Sequence, residues 1–344
     1  MAAVAAGERL EILSALADAL PEPCLLLDRR SIVVHRNPAA AQDFPAVVEG
    51  NPLTLALRSP QLVAAIEAVR RNGAAQAVEL HQSVPNETWH RAHVAPVANS
   101  DGLLAVSFHN FTERKRTDAL RSDFIANASH ELRTPLTSLV GFIDTLLGSA
   151  ATDEAARTRF LGIMRQQAAR MSKLIDDLLS LNRIEMRQHV RPTGSVELLA
   201  LLQEVSDGLE SQANEAGVVI TVAGEGRAEV TGERDELYEV FENLIDNAIK
   251  YAGDGKRVEV ALEPGRIGYD YAVTVTDHGP GIAAEHVPRL TERFYRVDAE
   301  SSRKKKGTGL GLAIVKHIVH RHRGQMTIRS TPGEGTRVEV LLGK

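Results

Sequence analysis

The sequence SHELRTP, residues 129–135, lies within a run of apolar residues spaced three and four apart. That spacing places the apolar side chains along one face of an α-helix. The residues of this face are Ile125, Ala128, Leu132, Leu136, Leu139, Ile143 and Leu146.

A second run, mostly with heptad spacing, follows the turn GSAATDE, in which Thr152 is a plausible N-cap. Its members are Met164, Gln167, Met171, Leu174, Leu178 and Leu181. The two runs predict a helical hairpin over residues 113–190. Because such a hairpin buries too little core alone, we expect two copies to form a four-helix bundle.

His130 lies roughly 160° from Leu132 on the helical wheel, so its imidazole points away from the predicted apolar face. Thr134 lies on the same side, and the adjacent Glu131 can accept a proton from one ring nitrogen and leave the other nucleophilic. Pro135 lacks an amide hydrogen and crowds the carbonyl of Glu131, which favours a helix bend. An exposed imidazole beside a carboxylate is a reasonable phosphoryl acceptor, although one of 12 histidines can also be an ordinary surface residue.

The composition is typical of soluble globular proteins: 344 residues, enough for two or three domains, with 43% hydrophobic and 25% charged residues. The net charge of −5 gives no reason to expect nucleic-acid binding. Cys24, the single cysteine, lies in an apolar run and is predicted to be a core residue. No apolar stretch approaches the length of a membrane span, so we expect a cytoplasmic protein, or one whose upstream anchor has been removed.

Residues 8–112 predict a small α+β domain. Two short strands in CLLLDRRSIVVHR are followed by helical segments and then by strand-like runs between residues 76 and 111. A haem or metal site is one interpretation of the histidines His81, His90 and His93. Scattered histidines on strands are, however, more often structural or surface residues.

Residues 195–344 mix helices and strands in an order that predicts one layer of helices on a mixed sheet. One predicted helix covers 196–215. Another, over 233–251, carries Asn243, Asn247 and Lys250 at i, i+4 and i+7, so the three side chains share one face. Amide oxygens can hold Mg²⁺ and a lysine can hold phosphate, although polar residues on a solvated face are also common.

Two glycine-containing segments follow this helix. VTVTDHGPGI places Asp277 at a strand end, before Gly279 and Gly281, where a carboxylate can accept a hydrogen bond from an adenine amino group. KKKGTGLGLAIVKHI runs from a basic stretch at residues 303–306 into a helix, whose first amide groups can cradle phosphates beneath a basic lid. Either segment alone is weak evidence, but their order downstream of SHELRTP is hard to attribute to chance.

The ordered motifs over residues 113–344 resemble those of the sensor histidine kinases of two-component signalling. FIANASHELRTPLTSL resembles the family's H box, NLIDNAIKY the N box, DHGPGI the G1 box, RFYRVD the F box, GTGLGL the G2 box and TPGEGTRVEV the last glycine motif. RLTERFYRVD, GLAIVKHIVHRHRG and LIDDLLSLNRIE are most similar to phosphate-regulon sensor kinases. Thr291 departs from the family pattern, because many relatives have an F-box phenylalanine there.

The resemblance implies a multidomain α+β fold. Residues 8–112 resemble a PAS-like α/β sensor, with HNFTERKR in place of the exit motif. Residues 113–190 would be the dimerising hairpin for histidine phosphotransfer, a four-helix bundle in the dimer. Residues 195–344 would be an α/β sandwich ATPase domain of the GHKL (Bergerat) type.

By the same resemblance, His130 is the phospho-acceptor, Glu131 its acid/base partner and Thr134 the residue that positions water for dephosphorylating the partner protein. Asn247 would bind Mg²⁺, with Asn243 near the metal or phosphates. Related ATPases that hydrolyse ATP have a glutamate base at the position of Asn243, and an amide cannot do that work. The remaining residues implied in binding ATP are Lys250, Tyr251, Asp277, Gly279, Gly281, Arg296, Gly307, Thr308, Gly309, Leu310, Gly311 and Thr336.

We therefore expect a homodimeric kinase that phosphorylates His130 from Mg-ATP and transfers the phosphoryl group to an aspartate of a response regulator. It would also act as that protein's phosphatase, in phosphate-starvation signalling, without direct contact to nucleic acid. One alternative is an ATP-driven clamp of the gyrase or chaperone type, against which Asn243 and the H box argue. Another is a PAS sensor scaffold with a degenerate kinase, against which the intact motifs argue.

Overall fold

The computed structural model describes residues 2–83, 87–98, 100–148, 150, 152–187, 189–253, 256–266, 268–297 and 307–343. The chain divides into two compact units, Met1–Asp123 and Phe124–Lys344. Among the residues described, no helix has both the length and the apolar character that crossing a membrane requires.

The first unit is built on a five-stranded antiparallel sheet. Its elements are α1 (Ala2–Asp18), β1 (Cys24–Leu27), β2 (Val33–Arg36), α2 (Pro38–Asp43), α3 (Leu53–Ala56), α4 (Pro60–Asn72), β3 (Gln76–Gln82), β4 (Thr88–Pro96) and β5 (Leu104–Asn110). The strands lie in the order β2-β1-β5-β4-β3. The predicted mixture of helices and strands is confirmed, whereas the PAS identity of this unit stays a prediction.

The core of this unit lies between α4 and one face of the sheet. Leu62, Ile66 and Val69 recur along α4 at helical spacing and are buried, because they pack in the same cluster as sheet residues such as Val94 and Phe108. Cys24 is buried in β1, as predicted, and burial raises the pKa of its thiol.

His90 is one of the few buried polar residues of this unit, with Asn37 and Thr112. Its residue is 3% exposed, and neither ring nitrogen has a hydrogen-bond partner among the residues described. Nε2 lies 3.9 Å from a carboxylate oxygen of Asp43, and the ring centroid lies 5.0 Å from that of Phe44. Burial lowers the pKa of His90, and the nearby Asp43 carboxylate opposes that shift only in part. In the described part of the chain, no cluster of three or more potential metal ligands accompanies any of the three strand histidines.

This burial predicts that the first unit loses stability in acid. The unfolded chain binds a proton at His90 below about pH 6.5, whereas the folded chain binds it only at lower pH, so stability falls as the pH decreases through that window. The free energy of unfolding can change by at most about 1.4 kcal/mol per pH unit for one proton, and we expect His90→Leu to remove this contribution. Urea unfolding at about pH 7.5 and about pH 5.5 measures it, with the chain's single tryptophan, Trp89, as the reporter.

The matched control is His93→Gln, since His93 is exposed on the same strand. It should retain the full acid sensitivity of the parent chain. If His90→Leu lost as much stability on acidification as the parent, another group would be responsible.

The second unit begins within a long helical hairpin, as predicted. Its helices are α5 (Thr112–Leu147) and α6 (Glu154–Arg187), and α5 stays helical through Pro135. The cap of α6 was predicted wrongly: Asp153, rather than Thr152, is positioned as the N-cap, because its carboxylate accepts a hydrogen bond of 2.9 Å from the amide of Ala156.

The two apolar runs of the hairpin differ in burial. In α6, Leu174 and Leu181 are 3% and 1% exposed, because they join the core of the C-terminal region. In α5, Ile125, Leu136 and Ile143 are 58%, 51% and 43% exposed. Part of the predicted apolar face of α5 is therefore uncovered in the single chain, while Leu132 of that face packs against the core of the C-terminal region.

The C-terminal region forms a layer of helices on a mixed sheet, as predicted. Its elements are β6 (Ser195–Glu197), α7 (Leu198–Ala216), β7 (Val219–Ala223), β8 (Glu229–Thr231), α8 (Arg234–Tyr251), β9 (Arg257–Pro264), β10 (Tyr271–Asp277), a 3₁₀ turn (Val287–Arg289), α9 (Gly311–Arg321), β11 (Gln325–Thr331) and β12 (Gly335–Leu342). The main sheet has the order β11-β12-β10-β9-β7, in which only β7 and β9 are parallel.

One helix start in this region was predicted wrongly. Val196 belongs to β6, which pairs with β8, and the helix begins at Leu198. Glu197 defines the start because its carboxylate accepts hydrogen bonds from the amides of Leu199 and Ala200, at 3.3 Å and 2.6 Å.

The apolar faces of α7, α8 and α9 share one core with the sheet. Val205, Phe241 and Ile314 from the three helices are fully buried against strand residues such as Val260 and Val273. This packing fixes α8 beside the end of β10 and the start of α9.

Candidate functional site

A cavity of about 280 Å³ lies between α8, the end of β10 and the start of α9. All the residues predicted to bind nucleotide line it except Gly279 and Leu310. Segments that are far apart in the sequence therefore meet at one site.

The polar face of α8 forms one wall of the cavity. The amide nitrogen of Asn243 donates a 2.9 Å hydrogen bond to the carbonyl of Glu239, and its Oδ1 faces the start of α9. A Cβ at Gly311 would lie 2.6 Å from that oxygen, so any side chain there would displace the Asn243 amide. Asn247 is half-buried, and the described residues make no hydrogen bond to its side-chain amide, which is available to a ligand.

The ammonium group of Lys250 is held by a carboxylate one turn earlier on α8. Its Nζ lies 2.6 Å from Oδ2 of Asp246, and Lys173 of α6 donates to the same oxygen at 3.1 Å. Oδ1 accepts a 2.6 Å bond from the amide of Gln212. Burial works to raise the pKa of Asp246, but the two lysines and the hydrogen bonds outweigh it and hold that pKa below its usual value.

Sequence reasoning missed Asp246, the partner of Lys250, and the two other residues that bind Asp246. The i, i+4 spacing of Asp246 and Lys250 is a signal that could have found the first, since oppositely charged residues at that spacing meet on a helix. No local pattern points to Lys173 or Gln212, which lie 73 and 34 residues from Asp246.

Asp277 lies at the end of β10, deep in the cavity. It is 7% exposed, and its Oδ1 accepts a 3.0 Å hydrogen bond from the amide of Gly279. Thr336 is its partner across the β10–β12 pair, and the hydroxyl of Thr336 lies 2.9 Å from that of Ser330. A buried carboxylate held in this position can accept a hydrogen bond from a donor group on a ligand.

The glycines after Asp277 allow the chain to pass close to its neighbours. A Cβ at Gly279 would lie 1.8 Å from the carbonyl oxygen of Tyr251, a distance that no side chain can occupy. Gly281 has a φ of +68°, in the left-handed region that favours glycine. Gly279 therefore supports the site through backbone packing rather than by lining the cavity.

The glycine-rich loop before α9 brings Gly307, Gly309 and Gly311 to the cavity wall. Leu310 is 0% exposed and belongs to the core, so its side chain does not line the cavity, and its predicted part in ligand binding stays a prediction. The hydroxyl of Thr308 donates a 2.6 Å hydrogen bond to Asp177 of α6. The basic stretch predicted as a lid, residues 303–306, lies outside the described residues.

Arg296 and Thr291 belong to the segment before this loop. Arg296 lines the cavity together with Tyr251, as expected for a residue near a ligand. The Thr291 hydroxyl accepts a hydrogen bond of 3.3 Å from Nζ of Lys316. Thr291 thus makes a polar contact at the position where many relatives have the F-box phenylalanine.

His130 is exposed on α5, as the helical wheel predicted. Glu131 does not pair with it in this structure: Oε2 of Glu131 lies 2.9 Å from the guanidinium of Arg170 on α6. The hydroxyl of Thr134 donates a 3.2 Å hydrogen bond to the backbone carbonyl of His130. The imidazole is therefore accessible, while both neighbouring side chains have partners of their own.

The donor set of the cavity suits Mg²⁺ bound together with phosphates. No cluster of three or more His, Cys, Asp or Glu ligands occurs in the parts of the chain that are described, so there is no all-protein metal cage there. Mg²⁺ commonly binds through few protein oxygens plus substrate phosphates, and the amide of Asn247 offers such an oxygen.

Comparison with known families agrees with this geometry. Residues 232–344 match the model of the histidine kinase-, DNA gyrase B- and HSP90-like ATPases, and residues 120–187 match the His Kinase A (phospho-acceptor) domain.

Two curated relatives extend the match. The phosphate regulon sensor protein PhoR of Pseudomonas aeruginosa is 33% identical over 83% of this chain and 63% of its own length. The sensor protein kinase WalK of Staphylococcus saprophyticus is 36% identical over 70% of this chain and 39% of its own length. The chain thus spans less than two thirds of either relative.

Among solved structures, the histidine kinase ThkA in complex with response regulator protein TrrA aligns with a TM-score of 0.50. The identity is 19%, over 95% of this chain and 97% of that chain. At this identity the likeness shows the fold alone.

Proposed function

Because the chain belongs to the sensor histidine kinases, we propose that it phosphorylates His130 from Mg-ATP and transfers the phosphoryl group to an aspartate of a response regulator. The observation that carries this proposal is one cavity lined by the N-, G1- and G2-box residues, in a chain whose hairpin exposes His130. The C-terminal region is an ATP-binding domain of the GHKL type.

In the proposed reaction, a ring nitrogen of His130 attacks the γ-phosphorus of ATP. An N–P bond forms, the bond from that phosphorus to the bridging oxygen breaks, and ADP leaves with the electron pair. Glu131 takes the proton from the other ring nitrogen, for which its carboxylate must leave Arg170.

The cavity residues act by positioning and charge. Asp277 accepts a hydrogen bond from the adenine amino group, while Lys250, Tyr251 and Arg296 contact the phosphates or nucleotide. A bound Mg²⁺ supplies charge neutralisation on the phosphates, and Asn247 would hold it with Asn243 close by. Asn243 leaves no carboxylate at the place where a hydrolytic ATPase of this fold has its base, which favours transfer to histidine over transfer to water.

We further propose three functional segments with the boundaries 8–112, 113–190 and 195–344. The first would sense the signal as a PAS-like domain. The second would dimerise, because the exposed apolar face of α5 requires a partner and two hairpins can bury it in a four-helix bundle. The relative PhoR supports a role in phosphate-starvation signalling.

The test follows a labelled phosphoryl group from ATP to the chain and then to purified receiver domains of response regulators. We expect label on the parent chain first, then on a receiver, and then loss of label from the receiver once ATP is removed. Thr134→Ala should label the receiver normally but remove that label at least about tenfold more slowly, since Thr134 is proposed to position the attacking water.

The control is Thr145→Ala on the same helix, because the Thr145 hydroxyl makes the same kind of bond, to the carbonyl of Gly141 at 2.7 Å. It should dephosphorylate the receiver at the parent rate. Release of inorganic phosphate from ATP without any labelled protein would instead indicate a clamp ATPase. Normal receiver dephosphorylation by Thr134→Ala would remove the role of Thr134.

A further inference from the structure

One lysine of the hairpin reaches the nucleotide cavity. Lys173 belongs to α6, yet it lines the cavity together with Asn247 and Lys250 of α8. Its side chain is 50% exposed, so a molecule in the cavity can reach this side chain.

Asp246 fixes the place of this ammonium group. Its carboxylate is 8% exposed, and one oxygen accepts from both Lys173 and Lys250, at 3.1 Å and 2.6 Å. Gln212 occupies the other oxygen. Because a buried carboxylate must stay paired, Asp246 holds the two ammonium groups side by side at the cavity.

The region of α6 around Lys173 is held against the C-terminal region by further hydrogen bonds. Asp177, one turn later, accepts from Thr308 at 2.6 Å, and the hydroxyl of Ser180 donates to Glu239 at 2.6 Å. These hydrogen bonds fix the segment of α6 that carries Lys173 against the C-terminal region.

The charge and the donors of Lys173 suit a phosphate. Lys173, Lys250 and Asp246 together carry one net positive charge, with the carboxylates of Asp177 and Glu242 nearby. An ammonium has three N–H donors, of which the described residues occupy one on Lys173. Burial works to lower the pKa of Lys173, but Asp246, Asp177 and Glu242 outweigh it and raise that pKa above its usual value. The group is thus charged at physiological pH.

We propose that Lys173 is a phosphate-binding residue of the nucleotide site, supplied by the hairpin and positioned by Asp246 beside Lys250. This inference rests on the proposed function, in which the cavity binds ATP. Nucleotide affinity then depends on the docking of α6 and, by linkage, bound nucleotide favours the docked hairpin to the same extent.

The test compares the binding of ATP and of adenosine, which lacks phosphates, to the full chain by equilibrium dialysis with Mg²⁺. Lys173→Met should raise the Kd for ATP about tenfold and leave the Kd for adenosine unchanged, because one charge-assisted contact is lost. Lys173→Arg keeps the charge and should stay within about threefold of the parent. Equal weakening for ATP and adenosine would mean that Lys173 only supports the fold, and would overturn the proposal.

Arg165→Met is the matched control, since it removes one exposed positive charge from the same helix. It should bind ATP with the parent Kd. If the parent binds ATP and Lys173→Met binds it equally well, the role of Lys173 fails while the proposed function stands. If the parent chain binds no ATP, the proposed function itself fails.

Discussion

The His130→Gln chain should take no label from γ-labelled ATP while it binds ATP as tightly as the parent. The imidazole is the proposed nucleophile, and glutamine has no nitrogen able to attack phosphorus, so labelling should fall to the background without enzyme. Binding should survive because His130 does not occur among the described residues that line the cavity. Gel autoradiography measures the label, and equilibrium dialysis measures the affinity.

His189→Gln is the control for this experiment, because His189 is another exposed histidine of the predicted hairpin segment. It should be labelled like the parent. In the parent the label should be lost in acid and retained in base, as expected of an N–P bond. Persistent labelling of His130→Gln would move the acceptor to another residue.

The second large effect is expected at Asn247. Asn247→Ala should weaken Mg-ATP binding by roughly 10- to 100-fold, about 1.4–2.8 kcal/mol, because the amide oxygen proposed to hold the metal is lost. When EDTA removes Mg²⁺, parent and variant should bind ATP with nearly the same low affinity. Equilibrium dialysis in the two buffers measures both differences.

Asn214→Ala serves as the control, since Asn214 is an exposed asparagine of α7. It should match the parent in both buffers. A loss at Asn247 of equal size with and without Mg²⁺ would place its amide on the nucleotide rather than on the metal. If Asn247→Ala bound Mg-ATP as tightly as the parent, Asn247 would not be the residue that holds Mg²⁺.

Local patterns in the sequence predicted the parts of the site that one element supplies. The shared face of Asn243, Asn247 and Lys250 follows from helical spacing alone, and the cavity has that face as a wall. Asp277 could likewise be placed at a strand end, because an apolar strand stops there at two closely spaced glycines.

Contacts between distant segments were beyond the reach of such patterns. The Arg170 partner of Glu131 is 39 residues away, and the Asp177 partner of Thr308 is 131 residues away. A related limit holds at Leu310: a glycine-rich loop predicts that the backbone comes close to a ligand, but it does not predict that the Leu310 side chain is buried in the core.

If the exposed apolar residues of α5 pair with a second chain as proposed, the stability of this protein depends on its concentration. In the proposed four-helix bundle, Ile125, Leu136 and Ile143 would lose their water contacts only when a second chain binds, so that part of the folding free energy would depend on association between molecules. Mass action then weakens the hairpin on dilution and strengthens it on accumulation. A cell that makes more of this chain would thereby also make each copy of the proposed dimer more stable.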